Sequence, residues 1–209
     1  MKRKPILLKK LTRESRGRFR EVIGLIGTHA GAGVTHTGLM LAFYLGEELG
    51  RKTAFLECNN HRDMSLIQKA YEWSNEEETS FCFRNITCFK NVLPDRVVDI
   101  LGEDYEYVII DFGTDLKGNR DEFLRCSMKA VVGGHSEWDV QKLLWFIKSY
   151  EILRGGEDWI YLIPQAGERL INRLKKETRC RICAIPYADD PTRPNRSTRQ
   201  LFKEMLRLA

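Results

Sequence analysis

Residues 21–45, EVIGLIGTHAGAGVTHTGLMLAFYL, constrain the fold more than any other stretch of the chain. An apolar run from Val22 to Ile26 leads into a turn of glycine and small residues, Gly27 to Gly33. An apolar-periodic segment follows, opened by Thr35, His36 and Thr37 and reaching toward Gly50, a C-cap candidate. Strand, small-residue loop and helix in direct succession form the arrangement of a phosphate-binding loop. The chemistry of such a loop lies in its backbone. Successive N–H groups turn inward, and the helix N-terminus adds partial positive charge. Glycines permit the tight curl and the close approach of a ligand. The candidate binding residues are therefore His29, Ala30, Gly31, Ala32, Gly33, Val34, Thr35 and His36.

A second signal lies at Tyr105–Asp111, YEYVIID. A β-branched run ending in aspartate, downstream of a phosphate-loop unit, reads as a Walker B strand. Asp111 then stands at the carboxyl end of the strand, where ligands gather in open parallel sheets. Further strands are predicted at Lys52–Cys58, across Phe81–Phe89 as one strand or a pair, and at Lys129–Gly134, Trp159–Pro164 and Arg181–Pro186. Helices are predicted at Met64–Trp73, from Pro94 to Leu101, from Ser136 as N-cap to Leu153, at Leu170–Lys176 and at Asn195–Leu208. Alternating strands and helices imply an α/β fold of three layers, a mostly parallel sheet with helices on both faces. The first twenty residues read as a basic arm, and 21–209 as the domain.

The loop, the Walker B strand and a late Ile185-Pro186-Tyr187 element occur in the order found in the ParA/MinD family of deviant Walker A P-loop ATPases, which the chain resembles from about residue 20 onward. That family's loop is a lysine, two glycines, a small residue, a glycine, a second lysine and two threonines. Gly31, Gly33 and Thr35 match it. His29 stands at the first lysine and Val34 at the second, which contacts the β- and γ-phosphates. The resemblance implies that the Thr35 hydroxyl and Asp111 act on Mg²⁺. The family's second strand ends in two aspartates separated by one residue, of which the second positions the attacking water. Glu57 and Asn59 hold these places, and Asn59 is uncharged and a poor base. Phe112–Asp115 corresponds to the second switch segment. Gln165 lies near the place of an asparagine that reads the base.

Composition bounds the reading. A chain of 209 residues, 43% hydrophobic and 30% charged, fits one sizeable soluble domain. No apolar run approaches the roughly 20 residues that span a bilayer, and the run at Ile6–Leu8 is too short for a signal core, so a cytoplasmic location is expected. The net charge of +5 is concentrated at the ends, in Lys2 to Arg20 and in Arg193, Arg196, Arg199, Lys203 and Arg207. Such clusters either meet nucleic acid or an anionic membrane surface, or form a solvated tail and helix face. Cys180 and Cys183 form a lone C-x-x-C, half a zinc site with no second half.

These residues lead to a degenerate ParA/MinD-like P-loop protein that binds ATP or ADP with Mg²⁺ and is at most a weak nucleoside triphosphatase. No catalytic residue is nominated. The resemblance implies a spatial organiser or regulator of a cellular machine, acting with protein partners or as a homodimer. Two alternatives stand beside it: a pseudo-ATPase scaffold that binds no nucleotide, and a nucleic-acid binder using its basic termini. His29 and His36 either replace part of the missing lysine charge when protonated or are plain loop residues.

Overall fold

A computed structural model describes residues 20–71, 78–150 and 158–207. The expected basic arm up to residue 19, and the ends of the predicted helices at Trp73, Leu153 and Leu208, lie outside the described residues.

The strands are β1 (Glu21–Gly27), β2 (Thr53–Glu57), β3 (Ser80–Phe83), β4 (Ile86–Phe89), β5 (Tyr107–Asp111), β6 (Met128–Val132), β7 (Ile160–Pro164) and β8 (Arg181–Ile185). They form one sheet in the order β3-β4-β2-β5-β1-β6-β7-β8, parallel except for the β3–β4 hairpin. The helices are α1 (Val34–Phe43), α2 (Asp63–Tyr71), α3 (Pro94–Ile100), α4 (Arg120–Arg125), α5 (Glu137–Tyr150), α6 (Glu168–Thr178) and α7 (Arg196–Arg207). A π-helical turn, Tyr44–Glu48, extends α1 toward Gly50, which takes the left-handed conformation expected of a helix stop (φ 61°). The predicted elements are present, with ends shifted by a few residues. The sequence reading gave no helix at Arg120–Arg125, a segment too short to show a helical period.

Each central strand is apolar on both sides because helices cover both faces of the sheet. Ile23 and Leu25 of β1 and Ile109 of β5 pack with α1, Met64 of α2, and Phe202 and Met205 of α7. Their alternates Ile26, Val108 and Ile110 pack with Val97 and Ile100 of α3, Phe123 of α4, Val140 and Leu143 of α5, and Ile171 and Leu174 of α6. The parallel register sets Leu25 beside Asp111, Glu57 beside Asp111, and Gly27 beside Val132. The carboxyl ends of β1, β2, β5 and β6 therefore open at one rim of the sheet, and the loops that follow them meet there.

Side-chain hydrogen bonds tie down part of the basic ends. Arg20 donates to the carbonyls of Tyr105, at 3.0 Å, and Glu103. On α7, Arg199 pairs with Glu48 at 3.1 Å and donates to the Pro194 carbonyl, while Arg196, Lys203 and Arg207 are exposed. Cys180 and Cys183 are free thiols. Among the described residues, no group of three or more His, Cys, Asp or Glu side chains is arranged to hold a metal ion.

α1 packs tightly on the sheet at Gly38, where an added Cβ would lie 2.7 Å from the Phe55 ring on β2. Glycine to alanine in a helix interior ordinarily gains about 0.5–1 kcal/mol, whereas overpacking a tight core costs about 1–3 kcal/mol. Gly38→Ala is therefore expected to lose about 1–2 kcal/mol net. A urea midpoint that falls with an unchanged slope supports this; a rise would show that α1 is free to shift off the sheet.

Candidate functional site

The loop between β1 and α1 is shaped by two glycines in the left-handed region, Gly31 at φ 81° and Gly33 at φ 92°. Gly33 is the N-cap of α1 and has no side chain to satisfy the first-turn N–H groups. Space around Gly31 is open: an added Cβ would meet nothing within 4 Å. The loop is pinned at its start, where the Gly27 N–H donates to the Gly113 carbonyl at 2.7 Å and the Thr28 N–H to the Val132 carbonyl at 2.9 Å. The turn after β5 and the end of β6 thus hold the loop from either side, and within it the Ala32 N–H donates to the His29 carbonyl at 3.3 Å.

Thr35, in the first turn of α1, donates its hydroxyl hydrogen to Asp111 Oδ2 at 2.7 Å. The second Asp111 oxygen accepts from the Gly113 N–H at 2.8 Å. Asp111 is wholly buried, and burial pushes its carboxyl up from the ordinary value, against the downward pull of these two donors. Asp63, the first residue of α2, brings a further carboxylate oxygen to 3.2 Å from the Thr35 hydroxyl. Sequence reasoning missed Asp63. An acid in the first turn of a helix is common for reasons of the helix dipole alone, so its sequence signal is ambiguous.

The two departures at the lysine positions are placed differently. Val34 is buried, 7% exposed, and belongs to the core cluster. Its Cγ2 would lie 2.8 Å from a Cβ added to Gly27, so its methyls cover the end of β1. His29 stays in the loop. Its Nδ1 lies 2.9 Å from the Thr28 hydroxyl, and its Nε2 lies 3.2 Å from Asp139 in the first turn of α5. Burial lowers the affinity of the ring for its proton, opposed by the Asp139 charge and assisted by Lys142. Asp139 also accepts from Lys142 at 2.8 Å and from the Ser136 hydroxyl, and its N–H donates to Ser136, the expected N-cap of α5.

The residues at the end of β2 have structural partners. The buried Glu57 carboxylate accepts from the N–H groups of Met64, at 3.1 Å, and Asn91, at 3.2 Å, and so joins α2 to the loop after β4. The Asn59 amide donates to the Asp111 carbonyl at 3.2 Å and accepts from the His61 N–H at 3.0 Å. Both of its polar ends are engaged with backbone.

Beside the loop lies a cavity of about 430 Å³. Its floor is His29, Gly31–Gly33, His36 and Thr37, and its walls are Gly133–His135, Pro164–Gln165 and Ile185–Asp189. Gln165 and the Ile-Pro-Tyr element, far apart in sequence, are brought to the same cavity as the loop. Thr37 is 1% exposed, and its hydroxyl has no hydrogen-bond partner.

Open glycine backbone, an unpartnered buried hydroxyl and an apolar far wall suit a phosphorylated ligand with a planar base. Thr35, Asp111 and Asp63 offer the oxygen donors that Mg²⁺ prefers. The buried valine does not fit the phosphate-lysine role.

No protein-family model matches the sequence, and no curated protein matches it. Solved structures do match. A putative plasmid partition protein from Borrelia burgdorferi, bound to AMPPNP, superposes with a TM-score of 0.65 at 13% identity, covering 91% of this chain and 98% of that one. A ParA family ATPase from Chlorobium tepidum gives 0.62 at 15% identity, over 91% and 92%. A chain of the MinC:MinD cell division protein complex of Aquifex aeolicus gives 0.66 at 13% identity, over 90% and 94%. The chain has the ParA/MinD type of P-loop ATPase fold.

A carboxyl whose pKa is raised on folding favours the folded state below its unfolded value, and that advantage is lost as pH rises through the raised folded value. Asp111→Asn removes this burden and keeps an acceptor for Gly113. In the ligand-free protein it is expected to raise the thermal midpoint at pH 8. The gap should close toward pH 4, near the ordinary carboxylate value. A variant that melts well below the wild type at pH 8 would show that the carboxylate charge stabilises the fold.

Proposed function

We propose that this chain is a ParA/MinD-type P-loop protein that binds a purine nucleotide with little or no hydrolysis and regulates or organises other proteins. The observation that carries the reading is the 2.7 Å hydrogen bond from Thr35 to the buried Asp111, beneath a loop with two left-handed glycines and beside a cavity of about 430 Å³. Structural relatives support it, since one was solved with AMPPNP and another as a complex with a second protein.

His29 to His36 would receive the phosphates, chiefly through the N–H groups of 31 and 33–35 and the unpartnered Thr37 hydroxyl next to them. Thr35 and Asp111 would hold Mg²⁺, with Asp63 in reach of the same hydroxyl. Bound Mg²⁺ would supply charge neutralisation at the phosphates. Pro164, Gln165, Pro186 and Tyr187 would take the base.

Weak hydrolysis follows from what these residues lack. Phosphoryl transfer depends on positioning and on charge stabilisation at the transferred group. Val34 offers no charge, and Asn59 holds backbone in place of a water. A platform acting through protein partners, as a monomer or a homodimer, needs neither.

Calorimetric titration of nucleotide-free protein with ATP and ADP, with and without Mg²⁺, tests the proposal. Micromolar to submillimolar binding that weakens about tenfold or more without Mg²⁺, and loses its Mg²⁺ dependence in Thr35→Ala, is expected. Silence at millimolar nucleotide would leave a scaffold that binds no nucleotide. That second reading is favoured by one observation, the burial of Val34 in the core.

A further inference from the structure

We infer that the cavity beside the loop selects the less charged nucleotides, a nucleoside diphosphate in preference to a triphosphate. The inference rests on the nucleotide-binding reading above and narrows its ligand class.

The charge of the lining carries it. No lysine or arginine lines the cavity among the described residues. The lining acids are Asp139 on one wall and Asp189 on the other, beside three histidines, His29, His36 and His135. The ammonium of Lys142 is held by Asp139 at 2.8 Å. His29 is also held by Asp139, and burial disfavours its charged form. Val34 points a methyl at Gly27 and takes no part in the lining.

Among the described residues the loop therefore offers anions no permanent cation, only glycine-loop N–H groups, the start of α1, the Thr37 hydroxyl, which is buried and unpartnered at the cavity floor, and histidine rings. Dipoles of this kind satisfy one or two phosphates. Each further phosphate adds negative charge that must be met by a cation or remain close to buried acids. Thr35 and Asp111 would hold one Mg²⁺ with either ligand, which would supply the same neutralisation to both, so the triphosphate complex would retain one more negative charge. That charge would face the lining acids Asp139 and Asp189. The far wall, with Pro164, Pro186 and Tyr187, is indifferent to phosphate number and binds the base in either ligand.

Calorimetric titration of the full chain with adenosine, ADP and ATP in excess Mg²⁺ tests the inference. Mg-ADP is expected to bind about tenfold more tightly than Mg-ATP, the effect of one uncompensated charge contact. Mg-ATP binding as tightly as Mg-ADP, or more tightly, overturns the inference and leaves the nucleotide reading intact. Absence of binding by all three ligands removes the nucleotide reading itself. A second variant locates the cause. His29→Lys puts a permanent cation against Asp139 in the same lining and should narrow the gap between ADP and ATP. A gap that His29→Lys leaves unchanged would overturn the assignment of selectivity to the charge of the lining.

Discussion

A carboxylate at the end of a buried strand has no water to solvate it, and the centre of this molecule is arranged around that constraint. Asp111 finds its donors in the Thr35 hydroxyl and the Gly113 N–H. The first bond fixes the start of α1 over the end of β5. The second shapes the turn after β5, whose Gly113 carbonyl then accepts from Gly27 and pins the glycine loop. One acid thus sets the relative positions of β1, β5 and α1. A buried polar group left unpartnered is costly, so these positions are strongly coupled.

The same region shows how a glycine loop is held when its uncharged side chains are tied into the fold. The backbone demands of the loop, two left-handed glycines and a small residue between them, are met. The side chains at and beside the loop have packing and hydrogen-bonding tasks. Val34 covers β1, His29 bridges to α5, and Asn59 braces the turn after β2. Each of these contacts stabilises the fold by itself. Val34, His29 and Asn59 are thus each engaged with the fold, while the Thr37 hydroxyl at the cavity floor stays unpartnered.

Much of this was legible in the sequence, because the strongest signals were local. The apolar runs of β1 and β5, the glycine spacing, and the Ser136–Asp139 cap each depend on neighbours within a few residues. Their combination gave the three-layer parallel fold. The hairpin of β3 and β4 was legible only as one strand or two, since alternation does not mark a turn at Arg84–Asn85. The helix α4 was not legible, as its six residues span less than two turns and its N-cap Asn119 makes no side-chain cap. Asp63 and Asp139 entered the site through tertiary placement, 28 residues and more than 100 residues from the loop residues they touch. The charge of the cavity lining was equally hidden, because it is a property of four loops brought together by the sheet order.

The burial of Val34 also bears on which substitutions the loop accepts. With its methyls packed against the end of β1, the valine is part of the core as well as part of the loop. A lysine at this one position would first have to push an ammonium and a longer stem through that packing. The cost is immediate, whereas any gain in phosphate contact needs the surrounding side chains to move as well. Position 34 therefore couples the chemistry of the loop to the stability of the sheet: it cannot be altered for the sake of a ligand without first being accommodated by the core.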